Sequence, residues 1–163
     1  MAYSFLPPLP TTYASTILSL ILFSVLSLSA QSAIKWRCKV KMTNETEGVV
    51  TMKAIMEPGW HLYGTNLPKG GPKSTKFDLN SSTGVKFIGD ITPSVAPKKV
   101  RDNVFSLDLT WWENAVTFTQ KFKISGKGTP KIIGSISYMG CNDQTCLPPS
   151  TQKIDILVSP FKK

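Results

Sequence analysis

Ile34-Lys-Trp-Arg-Cys-Lys-Val-Lys-Met42 is the stretch on which the fold turns. Apolar side chains stand at Ile34, Trp36, Cys38, Val40 and Met42, and basic ones at Lys35, Arg37, Lys39 and Lys41 between them. A period of two is that of a β-strand, whose successive side chains point to opposite faces. The segment predicts a strand with one face buried and the other basic. Cys38 goes inward with the apolar set, as a buried free thiol acting as a small hydrophobe. A third redox or intermolecular cysteine is the other reading.

The same pattern recurs downstream. Asn44-Glu-Thr-Glu-Gly48 reads as a turn, and Val49 to Met56 as a second strand with Val50, Met52, Ala54 and Met56 on one side. Glu57-Pro-Gly-Trp-His-Leu-Tyr-Gly64 is a turn followed by a short aromatic run, and Asn66 to Lys76 a Gly- and Pro-rich loop. Thr75 to Leu79 and Val85 to Ile88 are short strands, and Ile91 to Lys99 a proline-bearing loop. Phe105, Leu107, Leu109 and Trp111 alternate with polar residues. Val116, Phe118, Phe122 and Ile124 then share a face, as do Ile154, Ile156 and Val158. Ile132 to Met139 supplies one more strand. About eight short strands bounded by Gly, Pro, Asn or Ser, with no convincing helix among them, argue for an antiparallel β-sandwich. Asn44-Glu-Thr46 and Asn80-Ser-Ser82 match the glycosylation acceptor pattern, but both fall in turns, where Asn is favoured anyway.

The 163-residue chain begins differently. No charged side chain occurs from Met1 to Ser32, and Thr16 to Ala30 is a 15-residue apolar run. That length suits the h-region of a signal peptide better than a membrane span of about 20 residues, although no basic residue precedes it. Residues 1–30 are expected to be a signal peptide, or else an uncleaved anchor, and residues 33–160 one sandwich domain. Either way the domain is periplasmic or secreted, where disulfides persist. All 19 Lys and Arg and 10 Asp and Glu lie beyond the run, so the domain keeps the net charge of +9. Lysines alternating with apolar residues describe a solvated sheet face, and no nucleic-acid motif accompanies them, so nucleic acid is not an expected partner.

Between the last two strands lies Tyr138-Met-Gly-Cys-Asn-Asp-Gln-Thr-Cys-Leu-Pro-Pro149, with Cys141 and Cys146 five positions apart. A thiolate attacks a disulfide, so a close, loop-borne pair can open and close by exchange. Closing so short a loop removes only about 2 kcal/mol of unfolded-state entropy, against about 4.7 for a 100-residue loop. A redox site is thus the first reading. A structural disulfide pinning a hairpin end remains open. Zinc is disfavoured, because its sites usually need four ligands, and the chain adds only Cys38 and His61 to the pair.

The pieces Tyr138-x-Gly140-Cys141 and Cys146-Leu-Pro-Pro149, together with Gly59-Trp-His-Leu-Tyr63, resemble the N-terminal periplasmic (alpha) domain family of the thiol:disulfide interchange protein DsbD. The likeness extends loosely over Ile34 to Val158. It implies an immunoglobulin-like sandwich and transfer of reducing equivalents from a membrane or thioredoxin-like donor to periplasmic disulfide-bearing acceptors. Those acceptors include isomerases and cytochrome c maturation thioredoxins. By position it implies that Cys146 forms mixed disulfides with partners and that Cys141 resolves them. It also implies a cap loop at Val100 to Phe105, with Phe105 as lid and Asp102 near it. Tyr63 would cover the pair or pack the core, and Tyr138 joins the supporting set. No cofactor or metal is implied.

Two departures stand out. Four residues separate the cysteines where the familiar family loop has five, and His61 stands where a tyrosine is expected. A lone histidine is commonly a hydrogen-bonded structural residue; beside a thiol it could take the proton or, when charged, lower the thiol pKa. Asp143 would act oppositely, by like charge. No thioredoxin-like Cys-x-x-Cys motif follows, so a stand-alone carrier served by separate proteins is expected. The competing functions are a non-catalytic binding sandwich with a structural disulfide, and a Cu(I) site built from Cys141, Cys146, His61 and Met139, whose soft donors suit that ion.

Overall fold

A computed structural model describes residues 32–126 and 128–162. The apolar run read as a signal peptide or anchor lies outside the described residues. The described residues form eleven strands in order: β1 (Ile34–Met42), β2 (Glu47–Met56), β3 (His61–Tyr63), β4 (Lys76–Asp78), β5 (Val85–Pro93), β6 (Lys98–Asp102), β7 (Leu107–Glu113), β8 (Ala115–Ile124), β9 (Lys131–Tyr138), β10 (Gly140–Cys141) and β11 (Ser150–Leu157). They form three antiparallel sheets, ordered β1-β2-β8-β5, β10-β3-β7-β6 and β11-β9-β4. No helix occurs among the described residues. The fold is an all-β, immunoglobulin-like sandwich.

The alternation in β1 is realised: Ile34 and Met42 are buried, Trp36, Cys38 and Val40 half-buried, and the four basic residues exposed. Val50, Met52, Ala54 and Met56 of β2 and Val116, Phe118 and Phe122 of β8 complete the inner face of the first sheet. They pack with Ile132, Ile136 and Tyr138 of β9 and Ile154 of β11 in one apolar core. Burying each large aliphatic or aromatic side chain contributes about 1.5–3 kcal/mol, so this core is the main stabilising term. Cys38 packs against it as a free, half-buried thiol, and burial pushes its pKa up.

The outer face of the first sheet carries Lys35, Arg37, Lys39, Lys41, Lys53, Lys86, Lys121 and Lys123, all exposed. Arg37 stands directly opposite Lys53, and Lys86 opposite Lys123. Among the described residues only Lys35 of this set forms an ion pair, with Glu57 at 2.7 Å.

Three expectations change. The about eight patterned strands become eleven because β3, β6 and β10 are short or lack clear alternation. β5 runs on to Pro93 past a register shift between Ile88 and Thr92, which hides its period. The segment Ile91–Lys99, read as a loop, is therefore strand at both ends, with only residues 94–97 between. Gln120 holds the irregular part, its Nε2 donating to the carbonyls of Ile88 and Gly89 at 3.0 Å each. The expected cap loop likewise begins in a strand: Val100 to Asp102 belong to β6, and residues 103–106 are the turn of the β6–β7 hairpin.

Candidate functional site

The second sheet positions the site through the two-residue period of its strands. Leu62 of β3 and Trp112 of β7 face the main core, while Tyr63 and Leu109 face the other way. Tyr63, Leu109 and Cys141 form a second cluster, joined by half-buried Leu67, Phe105, Leu107, Trp111, Met139 and Cys146. The entry to β3 is set by a turn in which the Trp60 N–H donates to the Glu57 carbonyl at 3.0 Å. Pro58 and Gly59 (φ 80°) occupy its central positions, the second of which needs a left-handed conformation. Thr75 ties the following loop back, its hydroxyl donating to the Tyr63 carbonyl at 2.6 Å.

β9 leaves the third sheet at Met139, and the chain enters the second as β10, where Gly140 pairs with Leu62 and Cys141 with His61. Gly140 lies so close to Ile34 that a Cβ there would collide with the Ile34 side chain. Cys141 and Cys146 face each other across a tight hairpin and are disulfide-bonded, with Cα atoms 4.0 Å apart. Backbone hydrogen bonds flank them: Leu147 N–H to the Gly140 carbonyl and Asn142 N–H to the Thr145 carbonyl, both 2.9 Å. The cysteines are thus a non-hydrogen-bonded pair, the closer of the two antiparallel spacings. Asn142 Oδ1 closes the turn by accepting from the N–H groups of Gln144 and Thr145 at 3.0 and 2.8 Å. Cys141 is 1% exposed, whereas Cys146 is half-buried.

Asp102 is the polar hub. It is 6% exposed, and its Oδ2 accepts from the Tyr63 hydroxyl at 2.9 Å. Its Oδ1 accepts from the N–H groups of Val104 and Phe105, both at 2.9 Å. One carboxylate therefore joins β3 to the β6–β7 turn, and Phe105 lies edge-on to Tyr63 with ring centroids 6.3 Å apart. Burial and the Asp102 bond push the Tyr63 phenol well above its usual range.

His61 is also 6% exposed, and its Nε2 is buried without a hydrogen-bond partner. Its ring stacks on Trp111 at 4.1 Å and meets Tyr63 edge-on at 5.0 Å. Burial pushes its pKa down, while the charges of Asp102, Asp143 and Glu113 pull the other way. Trp111 is held in turn, its indole N–H donating to Glu113 Oε1 at 3.0 Å while Lys98 binds Glu113 Oε2 at 2.6 Å. Hydrogen bonds from Lys98 and Trp111 hold the Glu113 pKa below the usual range.

Six of the seven residues singled out from sequence gather here: Cys141, Cys146, His61, Tyr63, Asp102 and Phe105. Tyr138 does not; its ring lies in the main core, edge-on to Trp36 at 5.5 Å. Trp111, Glu113 and Lys98 were missed, although Trp111 continues the Phe105-Leu107-Leu109 alternation. Among the described residues no His, Cys, Asp and Glu cluster could hold a metal ion.

An all-β sandwich whose second sheet presents a loop disulfide of unequal burial fits a thiol–disulfide exchange domain. The chain belongs to the family of the N-terminal domain of the thiol:disulfide interchange protein DsbD, whose family model matches residues 28–158. No curated protein matches it. Among solved structures, the N-terminal periplasmic domain of ScsB from Proteus mirabilis is similar, with a TM-score of 0.56 at 13% identity, over 80% of this chain and 49% of that one. This chain thus spans about half the length of that protein chain. The reduced DsbD N-terminal domain of Neisseria meningitidis gives a TM-score of 0.45 at 15% identity, over 76% and 85% of the two chains. The same organism's complex between the DsbD and PilB N-terminal domains gives 0.47 at 14% identity, over 78% and 89%.

Proposed function

We propose that this protein is an exported thiol–disulfide exchange module that passes reducing equivalents through Cys141–Cys146. The observation that carries the reading is the unequal burial of the two sulfur-bearing residues. A donor thiolate reaches Cys146 first; it bonds to that sulfur, and the Cys141–Cys146 bond breaks. A second donor thiol then releases reduced Cys146. In the forward direction Cys146 attacks an acceptor disulfide, and buried Cys141 displaces the acceptor from the mixed disulfide, restoring the original bond. Phe105, held by the Asp102-centred turn, acts as the lid.

Membership in the DsbD N-terminal family supports this chemistry, with a thioredoxin-like or membrane protein as donor and disulfide-bearing proteins as acceptors. The uncharged apolar start of the chain supports an arrangement of residues 1–30 as signal or anchor and 33–160 as one domain in the periplasm or outside the cell. No cofactor is needed.

The test is the reduction potential of the pair, followed by trapping with Cys141→Ser. A value near −180 to −270 mV, the range of known exchange proteins, and a stable mixed disulfide through Cys146 are expected. A value below about −300 mV, with loss of the fold on reduction, would identify a structural staple and sink the exchange reading.

A further inference from the structure

The exchange scheme leaves one buried group unused. Besides Trp36 Nε1 in the main core, His61 Nε2 is the buried side-chain nitrogen or oxygen that lacks a hydrogen-bond partner among the described residues. An unpaired buried polar atom costs about 1–3 kcal/mol, so its retention calls for an explanation. His61 stands directly opposite Cys141 in the β3–β10 ladder, where facing Cβ atoms are about 4.5–5.5 Å apart. Cys141 is the thiol that must lose a proton inside the protein, because almost none of it reaches solvent.

Resting on the exchange reading, we propose that His61 is the proton relay of Cys141. As Cys141 attacks the Cys146–acceptor bond, its thiol proton passes to the imidazole. The Cys141–Cys146 bond forms, the acceptor sulfur leaves with the electron pair, and it is protonated from the imidazolium or water. In the reverse direction the imidazole takes the donor's thiol proton and returns it to the Cys141 sulfur as the disulfide opens. Each cycle conserves the proton, and no further oxidant or reductant is required.

The surroundings favour this group over its neighbours. Tyr63, on the same strand, has its phenol committed to Asp102 and its ionisation pushed up. Both Asp102 oxygens are engaged from β3 and from the β6–β7 turn. Glu113, across the ladder on β7, is occupied by Lys98 and Trp111. Asp143, in the cysteine hairpin, is exposed. Burial keeps the resting imidazole neutral and ready to accept, while the three carboxylates and the Trp111 face stabilise the cation once formed. A cleft lined by His61, Asp102, Val104, Trp111, Asn142 and Asp143 gives the site a way to solvent.

The experiment is a single-turnover reaction of the reduced protein with oxidised glutathione, acid-quenched and weighed by mass spectrometry from pH 5.5 to 8.5. It separates mixed-disulfide formation at Cys146 from resolution by Cys141. For the wild type the resolution rate is expected to show an inflection in the histidine range. In His61→Gln and His61→Phe it should fall roughly 10²-fold at neutral pH and climb about tenfold per pH unit, with the first step little changed. Parallel profiles in wild type and variants would overturn the relay alone. A wild-type profile rising without inflection would overturn it even if neither variant folds. No mixed disulfide in Cys141→Ser, where nothing resolves it, would remove the exchange reading, and the relay with it.

Discussion

Tyr63 and Asp102, 39 positions apart in the chain, are joined by a 2.9 Å hydrogen bond in a buried setting, and the same carboxylate fixes the turn that carries Phe105. A bond between a phenol and a carboxylate contributes roughly 1.5–3 kcal/mol, and leaving one partner unpaired costs a similar amount. Asp102→Ala removes three acceptor contacts at once. It should lower stability by about 2–4 kcal/mol and, with Phe105 as the proposed lid, speed reduction of the disulfide by dithiothreitol severalfold. An unchanged reduction rate would show that Phe105 does not guard the pair.

The pH dependence of stability follows from His61. Its folded pKa lies below the unfolded value of about 6.5, so the folded state binds a proton less readily than the unfolded one. The contribution is fully present above about pH 6.5 and is lost as pH falls through the lowered folded pKa. Thermal melts should show stability dropping from pH 7.5 to pH 5, and His61→Phe should flatten that slope. Identical slopes would mean that other groups govern the window.

Gly140→Ala tests the passage of β10 over the core. The added methyl meets the Ile34 side chain, so either β10 or Ile34 must move, at about 1–3 kcal/mol. Because Cys141 is the next residue, the potential of the pair should shift along with the melting temperature. Replacing Ile34 by Val in the same protein should recover part of the loss.

The basic outer face predicts a gain. Like charges directly opposite each other destabilise a ladder, and Arg37 faces Lys53. Lys53→Glu should raise stability by about 0.2–1 kcal/mol, with a smaller increment in high salt. A loss on denaturant titration would count against this account of the face.

How much of this was legible follows from the reach of each signal. The inward sets of β1, β2, β8 and β11 could be read because a strand packed on one side writes its burial into every second residue. β6 and the far half of β5 could not, since a bulge and two nearby prolines interrupt the period. The cysteine pair, His61 and Tyr63 were legible as side-chain chemistry and as a family resemblance. What no local pattern carries is the pairing of Asp102 with Tyr63 or the stacking of His61 on Trp111, because both depend on register between strands far apart in sequence. Tyr138 adjoins the cysteine loop in the chain but ends a strand whose inner face points to the main core.

The hairpin bearing the cysteines is closed by backbone hydrogen bonds on each side of the sulfur bridge, from the Leu147 N–H to the Gly140 carbonyl and from the Asn142 N–H to the Thr145 carbonyl. Cleaving the bridge removes a covalent tie without removing either bond, so the backbone outline can be common to both oxidation states. A molecule that alternates between two kinds of partner would then present each with the same scaffold. The information about whether it is loaded would reside in the sulfur atoms and the side chains over them.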